Sequence, residues 1–159
     1  MNLNKTVCLL LGKQQHKLIE NIQGIIVTNE PVRCLGIYVG NNKYECEHLN
    51  WGNKIDQIKE LLMKWVKRDL TIFGKVTLIK TLVLPKLTFL ATNTTIPTGI
   101  IKEVNKLLYN FIWGKRDRIK RNLLVQDMVH GGVGMIDIEA HFQAVKSSWI
   151  GRILHTDTT

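Results

Sequence analysis

The chain has 159 residues, 45% of them hydrophobic and 22% charged, with a formal net charge of +9. This composition is ordinary for a globular protein and sufficient for one domain with a hydrophobic core. No apolar run approaches the roughly 18 residues that a membrane-spanning helix needs, and three widely spaced cysteines do not indicate a disulfide framework. We therefore expect a cytoplasmic or nuclear protein without a membrane partner.

The first 50 residues contain short apolar runs separated by turn residues, a pattern typical of strands. We expect two or three strands, within residues 6–11, 25–27 and 32–39. The last of these is closed by the turn residues Gly40-Asn41-Asn42. Residues 17–23 are compatible with either a strand or a helix.

After residue 50 the spacing of apolar residues becomes helical. Apolar side chains recur every three or four positions from Trp51 to Trp65, and Asn50 before them is a suitable N-cap. A second helix is predicted to begin after Thr71, whose hydroxyl can accept a hydrogen bond from a first-turn amide. Pro85 is expected to stop or kink it, with a bent helix continuing through residues 86–92.

Two further helices are predicted in the last third of the chain. One begins near Pro97 and ends at Gly114, and the other runs from about Asp137 to Leu154. The tryptophans on helical apolar stripes are predicted to be core residues: Trp51, Trp65 and Trp149. Residues 131–134, Gly-Gly-Val-Gly, match no phosphate-binding loop and are interpreted as a turn with positive φ angles.

Candidate metal ligands and catalytic carboxylates do not form a recognisable pattern. The spacing of the following residues does not match a zinc site: His16, Cys34, Cys46, His48 and His130. Two-metal phosphoryl transfer needs clustered carboxylates, and this sequence has no Asp-Asp pair. We expect no catalytic residue, no metal site, no cofactor and no enzymatic activity in this chain.

Positive charge is concentrated in the middle of the chain. Residues 51–130 contain fifteen Lys and Arg but six Asp and Glu, and residues 115–121, Lys-Arg-Asp-Arg-Ile-Lys-Arg, are the densest part. A basic loop of this kind can neutralise several phosphates, and Trp113 before it could stack on a base. The loop could instead be solvated, or its cations could interact with the negative end of a helix dipole.

Five short motifs occur in one order along the chain. They are Cys34-Leu35-Gly36-Ile37, Leu70-Thr71-Ile72-Phe73-Gly74-Lys75, Leu84-Pro85-Lys86-Leu87, Phe111-Ile112-Trp113 and Gly131-Gly132-Val133-Gly134. The series resembles the region that follows the catalytic carboxylates in reverse transcriptases of non-LTR retrotransposons, the long interspersed element type. In that resemblance Leu35-Gly36 corresponds to the primer grip, and Trp65 with the motifs from Leu70 to Lys86 corresponds to the thumb. Asn4-Lys5-Thr6 resembles the opening of the strand after the catalytic loop.

The resemblance implies an α+β chain, mainly α, that is a fragment of an RNA-directed DNA polymerase. Residues 1–48 would be a palm remnant with strands, residues 49–95 thumb-like helices, and residues 96–159 a post-thumb region with the basic loop. The catalytic aspartates would lie before Met1, and Mg²⁺ would belong to the complete parent enzyme.

The implied partner is the phosphate backbone of an RNA–DNA or DNA duplex. The candidate nucleic-acid-binding residues are Lys75, Lys80, Lys86, Lys115, Arg116, Arg118, Lys120 and Arg121. The alternative is a helical protein-interaction domain with a solvated basic loop and no role in nucleic-acid binding. The sequence does not indicate an oligomeric state.

Overall fold

The computed structural model describes residues 6–12, 21–22, 24–114 and 120–156. The fold is α+β and mainly helical, as predicted, with a few short strands followed by a bundle of helices. The chain divides into two compact units, Met1–Asn53 and Lys54–Thr159.

The strands of the first unit form a small sheet and a separate hairpin. In the sheet, β1 (Val7–Leu9) pairs in parallel with β3 (Ile25–Thr28), and β2 (Asn21–Ile22) pairs antiparallel with β3 on its other side. The hairpin consists of β4 (Val32–Cys34) and β5 (Ile37–Val39). The described residues thus contain five strands, more than the two or three predicted.

The additional strands have a local cause. Leu35 and Gly36 both have positive φ angles, 49° and 88°, which places a two-residue turn inside the segment 32–39. Turns with positive φ at both central residues match the twist of a β-hairpin. The Leu35-Gly36 pair therefore divides one apolar run into two strands. The second additional strand, β2, lies in the segment that the sequence left ambiguous.

Helical structure begins earlier than predicted. The side chain of Asn42 caps α1 (Lys43–Glu47) by accepting hydrogen bonds from the amides of Tyr44 and Glu45 at 3.1 and 3.3 Å. A π-helical turn, His48–Gly52, follows, and then α2 (Asn53–Val66). The predicted cap at Asn50 was wrong, because this residue lies inside the π-helical turn and its side chain is bonded elsewhere.

The second predicted helix is confirmed, including its cap. The hydroxyl oxygen of Thr71 accepts a hydrogen bond of 3.2 Å from the amide of Gly74 at the start of α3 (Ile72–Leu78). The helix does not stop at Pro85. A π-helical turn, Ile79–Val83, leads directly into α4 (Leu84–Asn93). Pro85 lies in the first turn of α4, where a missing amide proton costs least.

The remaining helices are α5 (Ile100–Trp113), α6 (Arg121–Val125) and α7 (Ile138–Thr156), with a short 3₁₀ turn at Met128–His130. The predicted stop at Gly114 is confirmed, because this residue has a φ of 78° and its amide bonds to the carbonyl of Asn110. The start of α7 is confirmed as well, since the Asp137 carboxylate accepts hydrogen bonds from two first-turn amides. The sequence did not predict α6.

The second unit is built on one hydrophobic core. Helices α4 and α7, α3 and α5, and α5 and α7 pack against each other. Fully buried apolar side chains in this core include Ile58, Ile79, Val83, Leu87, Leu90, Val104, Leu108, Leu124, Ile138 and Phe142.

Side-chain polar contacts join helices of this unit. The Thr88 hydroxyl on α4 donates to the Leu84 carbonyl at 2.8 Å and lies at hydrogen-bonding distance, 2.8 Å, from Nε2 of His141 on α7. Lys59 on α2 bridges Asp56, at 3.1 Å, and Glu103 on α5, at 3.3 Å. The hydrogen bond to Asp56, followed by that to Glu103, raises the pKa of Lys59.

The prediction for the tryptophans is only partly confirmed. Trp51 is buried and Trp65 is half-buried, whereas Trp149 on the outer half of α7 is 43% exposed. Trp113, the candidate for base stacking, is buried instead. Its indole nitrogen is also buried and has no hydrogen-bond partner within the described parts of the chain.

Candidate nucleic-acid interface

Five of the eight candidate phosphate-binding residues lie in described parts of the chain: Lys75, Lys80, Lys86, Lys120 and Arg121. The other three, Lys115, Arg116 and Arg118, lie outside the described residues, as do Asn4 and Lys5.

Lys75 projects from α3 to the end of α5. Its ammonium nitrogen donates a hydrogen bond of 3.0 Å to the carbonyl oxygen of Ile112 and lies 5.7 Å from the centre of the Phe111 ring. The last carbonyl groups of a helix have no partner inside the helix, so this contact satisfies one of them. One of the three ammonium donors is thus used internally, and two remain for a ligand.

Lys80 lies beside the glycine turn. A Cβ atom added at Gly134 would be 3.7 Å from the Lys80 ammonium nitrogen. The turn itself is confirmed, since Gly131 and Gly134 have φ angles of 80° and 67°. The Gly132 amide donates to the carbonyl of residue 127, and the Gly134 amide to that of residue 126, both at 2.9 Å. These two amides are therefore not available to bind a phosphate.

The two cations at the start of α6 are exposed. The Arg121 guanidinium carbon lies 4.4 Å from the centre of the Tyr109 ring, which attaches it to the side of α5. Lys120 precedes α6, and its carbonyl accepts hydrogen bonds from the amides of Leu123 and Leu124. These two residues are the first described residues after the segment 115–119.

A cavity of about 390 Å³ lies beside Gly114, the last described residue before the segment 115–119. It is lined by residues 110–114 at the end of α5, by Val66 and Leu70 around the end of α2, and by Thr71, Ile72 and Lys75 at the start of α3. The ends of three elements therefore meet beside Gly114. Lys86, which is exposed on α4, is not linked to this region by a described contact.

The charges of these lysines are not compensated nearby. Lys75, Lys80, Lys86 and Lys120 form no ion pair with an acidic residue within the described ranges. A polyanion could therefore approach them without displacing an existing carboxylate partner.

A second group of exposed cations was missed by the sequence reasoning. Lys64, Lys67 and Arg68 lie at the end of α2 and in the turn after it. The sequence does indicate this group, because residues 64–68, Lys-Trp-Val-Lys-Arg, contain three positive charges. It is less dense than the segment 115–121, and the apolar stripe through Trp65 suggested a core-facing helix.

No group of three His, Cys, Asp or Glu side chains is placed to hold a metal ion in the ranges 6–12, 21–22, 24–114 and 120–156. Within those ranges, no helix has the length and apolar character needed to cross a bilayer. No protein-family model matches the chain.

Proposed function

We propose that the helical unit binds the sugar–phosphate backbone of a nucleic-acid duplex without reading its sequence. One structural relationship supports this most directly. Three of the five described candidates lie on or beside the helices that carry the two ends of the segment 115–119: Lys75, Lys120 and Arg121. A phosphate that approaches these helix ends therefore meets several positive charges.

The ordered motifs support a more specific origin for this binding surface. They resemble the end of the palm, the thumb and the following region of a non-LTR reverse transcriptase, in which the thumb tracks the template–primer duplex. The proposed ligand is therefore an RNA–DNA or DNA duplex, and the proposed location is the cytoplasm or the nucleus.

The proposed role of this chain is to hold nucleic acid, not to extend it. The sequence has no Asp-Asp pair, and two-metal nucleotide transfer requires clustered carboxylates. Purified protein should therefore not extend a primer in the presence of Mg²⁺ or Mn²⁺. Template-dependent incorporation above that of a mock purification would contradict this part of the proposal.

The binding proposal can be tested by a salt titration of fluorescence anisotropy with a labelled RNA–DNA hybrid. Wild type is compared with a variant in which five cations are replaced by Gln: Lys115, Arg116, Arg118, Lys120 and Arg121. The logarithm of the affinity should fall by roughly 0.7 to 0.9 per logarithm of salt for each phosphate neutralised. The variant should bind more weakly and have a flatter slope, provided that circular dichroism shows equal folding. Equal slopes would exclude this segment as the binding element.

One observation favours the alternative of a protein-interaction domain. The outer half of α7 exposes four large apolar side chains, Trp149, Ile150, Ile153 and Leu154, by 43, 61, 64 and 67%. Clustered exposed apolar side chains often mark a protein contact surface. Under this alternative, replacing Ile150 and Ile153 by Gln would abolish binding to a protein partner, and the five-residue variant above would retain it.

A further inference from the structure

Arg68 is held in one position by its own neighbours. Its guanidinium carbon lies 4.4 Å from the centre of the Trp65 ring, a distance typical of cation–π stacking. Its amide donates to the Trp65 carbonyl at 3.1 Å, and its carbonyl accepts from the Leu70 amide at 2.7 Å. The backbone of Arg68 is thus hydrogen-bonded on both sides of the residue, and its guanidinium lies over the Trp65 ring, in the turn between α2 and α3.

The stacked guanidinium keeps its hydrogen-bonding edge available. Arginine has five N–H donors in one plane, so stacking of that plane on an indole leaves the donors at its edge free to bind a phosphate in bidentate geometry. The Arg68 side chain forms no hydrogen bond or ion pair with any residue that the structure describes, and neither does Asp69 next to it. Lys64 and Lys67 are also exposed, and neither forms an ion pair with a residue in the described ranges.

This turn lies next to the proposed interface. Val66 and Leu70, which bracket it in the sequence, line the same cavity as Trp113 and Gly114. Residues on both sides of the Arg68 turn and the end of α5 therefore border one cavity. A phosphate backbone bound to the proposed interface would pass close to this turn.

We propose that Arg68, stacked on Trp65 and flanked by Lys64 and Lys67, is a second phosphate-binding point for a nucleic-acid duplex. This inference rests on the proposed function and extends the interface from the end of α5 to the end of α2. A competing explanation needs no ligand, because cations at the end of a helix interact favourably with the helix dipole. The two explanations differ in what they predict for nucleic-acid binding.

The first test removes charge from the turn and compares it with equal removal elsewhere. Lys67→Gln combined with Arg68→Gln removes two positive charges. The matched control is Lys102→Gln combined with Lys106→Gln, two exposed lysines in the first half of α5. In anisotropy titrations with a labelled RNA–DNA hybrid, the turn variant should lose roughly 0.7 to 0.9 of salt slope for each phosphate contact removed. The control should keep the wild-type slope.

The second test keeps every charge and removes only the fixed geometry. Trp65→Leu removes the stacking surface, and Arg68→Lys removes the planar fork of donors. Each should weaken binding by about two- to fivefold, the range expected for an exposed cation–π contact, without changing the salt slope. Because Trp65 is half-buried, thermal melting of Trp65→Leu must first show that it folds, whereas Arg68→Lys changes an exposed side chain only.

Three outcomes would overturn the inference. If Lys67→Gln/Arg68→Gln behaves like the control, the turn does not contact phosphate, although the proposed function stands. If Arg68→Lys binds as wild type does, the stacked guanidinium has no special role. If wild type does not bind the hybrid in a salt-dependent manner, the proposed function fails and this inference fails with it.

Discussion

The ammonium nitrogen of Lys75 lies 3.0 Å from the carbonyl oxygen of Ile112, 37 residues away. A lysine on α3 thereby caps the end of α5, where a positive charge also complements the negative end of the helix dipole. Lys146 on α7 makes a similar contact, because its ammonium donates to the Thr94 carbonyl at 2.6 Å, just after the end of α4. Part of the positive charge of this unit therefore stabilises helix ends.

Lys75 should consequently contribute to stability as well as to charge. Lys75→Met keeps the length of the side chain but removes the donor to Ile112, so we expect the free energy of unfolding to fall by about 1 kcal/mol. Lys86→Met is the matched control, because Lys86 is exposed and makes no described contact, and its effect should stay within about 0.5 kcal/mol. Urea denaturation of both variants measures the difference. Equal midpoints and slopes would show that the contact to Ile112 is not stabilising.

The sequence predicted those features of the fold that depend on neighbouring residues. Apolar spacing located the regions of α2, α3, α5 and α7. Thr71, Gly114 and Asp137 marked helix ends correctly, because each acts on backbone groups within four residues of itself. Helix caps can be predicted from sequence because their donors and acceptors are close in the chain.

Features that depend on distant residues could not be predicted in this way. Asparagine is a favourable N-cap residue, but the side chain of Asn50 accepts a hydrogen bond from the backbone amide of Tyr38, twelve residues earlier. Trp149 on α7 was predicted to be a core residue, yet it is exposed, whereas Ile138 and Phe142 on the same helix are buried. Helical spacing identifies an apolar face and does not reveal how much of that face another helix covers.

The candidate interface was predictable to a similar extent. The sequence identified the basic residues from Lys115 to Arg121 by their density, and Lys75 and Lys86 through the motifs that resemble the thumb. It could not indicate that Lys75 reaches Ile112 or that Arg121 stacks on Tyr109, because these contacts join different helices. Burial of Trp113 likewise follows from the packing around α5 and not from its position before a basic segment.

The glycine turn provides a test of close backbone packing. A Cβ atom at Gly132 would lie 1.8 Å from the carbonyl oxygen of Gln126, so Gly132→Ala must displace the backbone of one of the two segments. We expect a loss of at least about 3 kcal/mol in the free energy of unfolding. Gly151→Ala is the opposite case, because Gly151 lies within α7 with no atom within 4 Å of an added Cβ. This control should gain about 0.5 to 1 kcal/mol from helix propensity.

Both glycine variants can be compared by chemical denaturation under the same conditions. A small or absent effect of Gly132→Ala would mean that the turn can move away from Gln126 without loss of core packing. If Gly151→Ala increases stability, replacement of glycine by alanine is not destabilising in itself, and the loss in Gly132→Ala is due to the contact with Gln126.

The cysteines of the first unit should differ in reactivity. Partial burial, and then the nearby charge of Glu45, raises the pKa of the Cys46 thiol, whereas Cys34 is exposed. Because the thiolate is the reactive form, iodoacetamide should modify Cys34 before Cys46 at about pH 8. The rate at Cys46 should continue to rise as the pH is increased further. Mass spectrometry of peptides taken during the reaction measures both rates.

Glu45→Gln provides the control for the electrostatic part of this difference. Removal of the carboxylate should lower the pKa of Cys46 and increase its rate of alkylation, leaving the rate at Cys34 unchanged. If Cys46 reacts as fast as Cys34 in wild type, its thiol is more accessible than its surroundings indicate.

The side chain of Asn50 makes a paired contact that a carboxylate cannot reproduce. Its Oδ1 atom accepts a hydrogen bond of 2.8 Å from the Tyr38 amide, and its Nδ2 atom donates one of 2.9 Å to the Tyr38 carbonyl. Asn50→Asp replaces the donor by an oxygen that faces this carbonyl at a buried position. Near pH 7 we expect the free energy of unfolding to fall by about 2 to 4 kcal/mol.

The loss should depend on pH in a direction set by the new carboxyl group. Burial and the facing carbonyl raise its pKa in the folded state, so its protonated form, which can donate to the Tyr38 carbonyl, is favoured by folding. The difference from wild type should therefore shrink as the pH falls through that raised pKa and widen as the pH increases. Asn53→Asp is the matched control, because Asn53 is exposed and its side-chain amide bonds to the Leu49 carbonyl one turn earlier. Urea titrations at about pH 7 and about pH 5 measure both variants. If the loss for Asn50→Asp were the same at both pH values, the introduced group would not face the Tyr38 carbonyl, and the paired contact would not be what holds Asn50 in place.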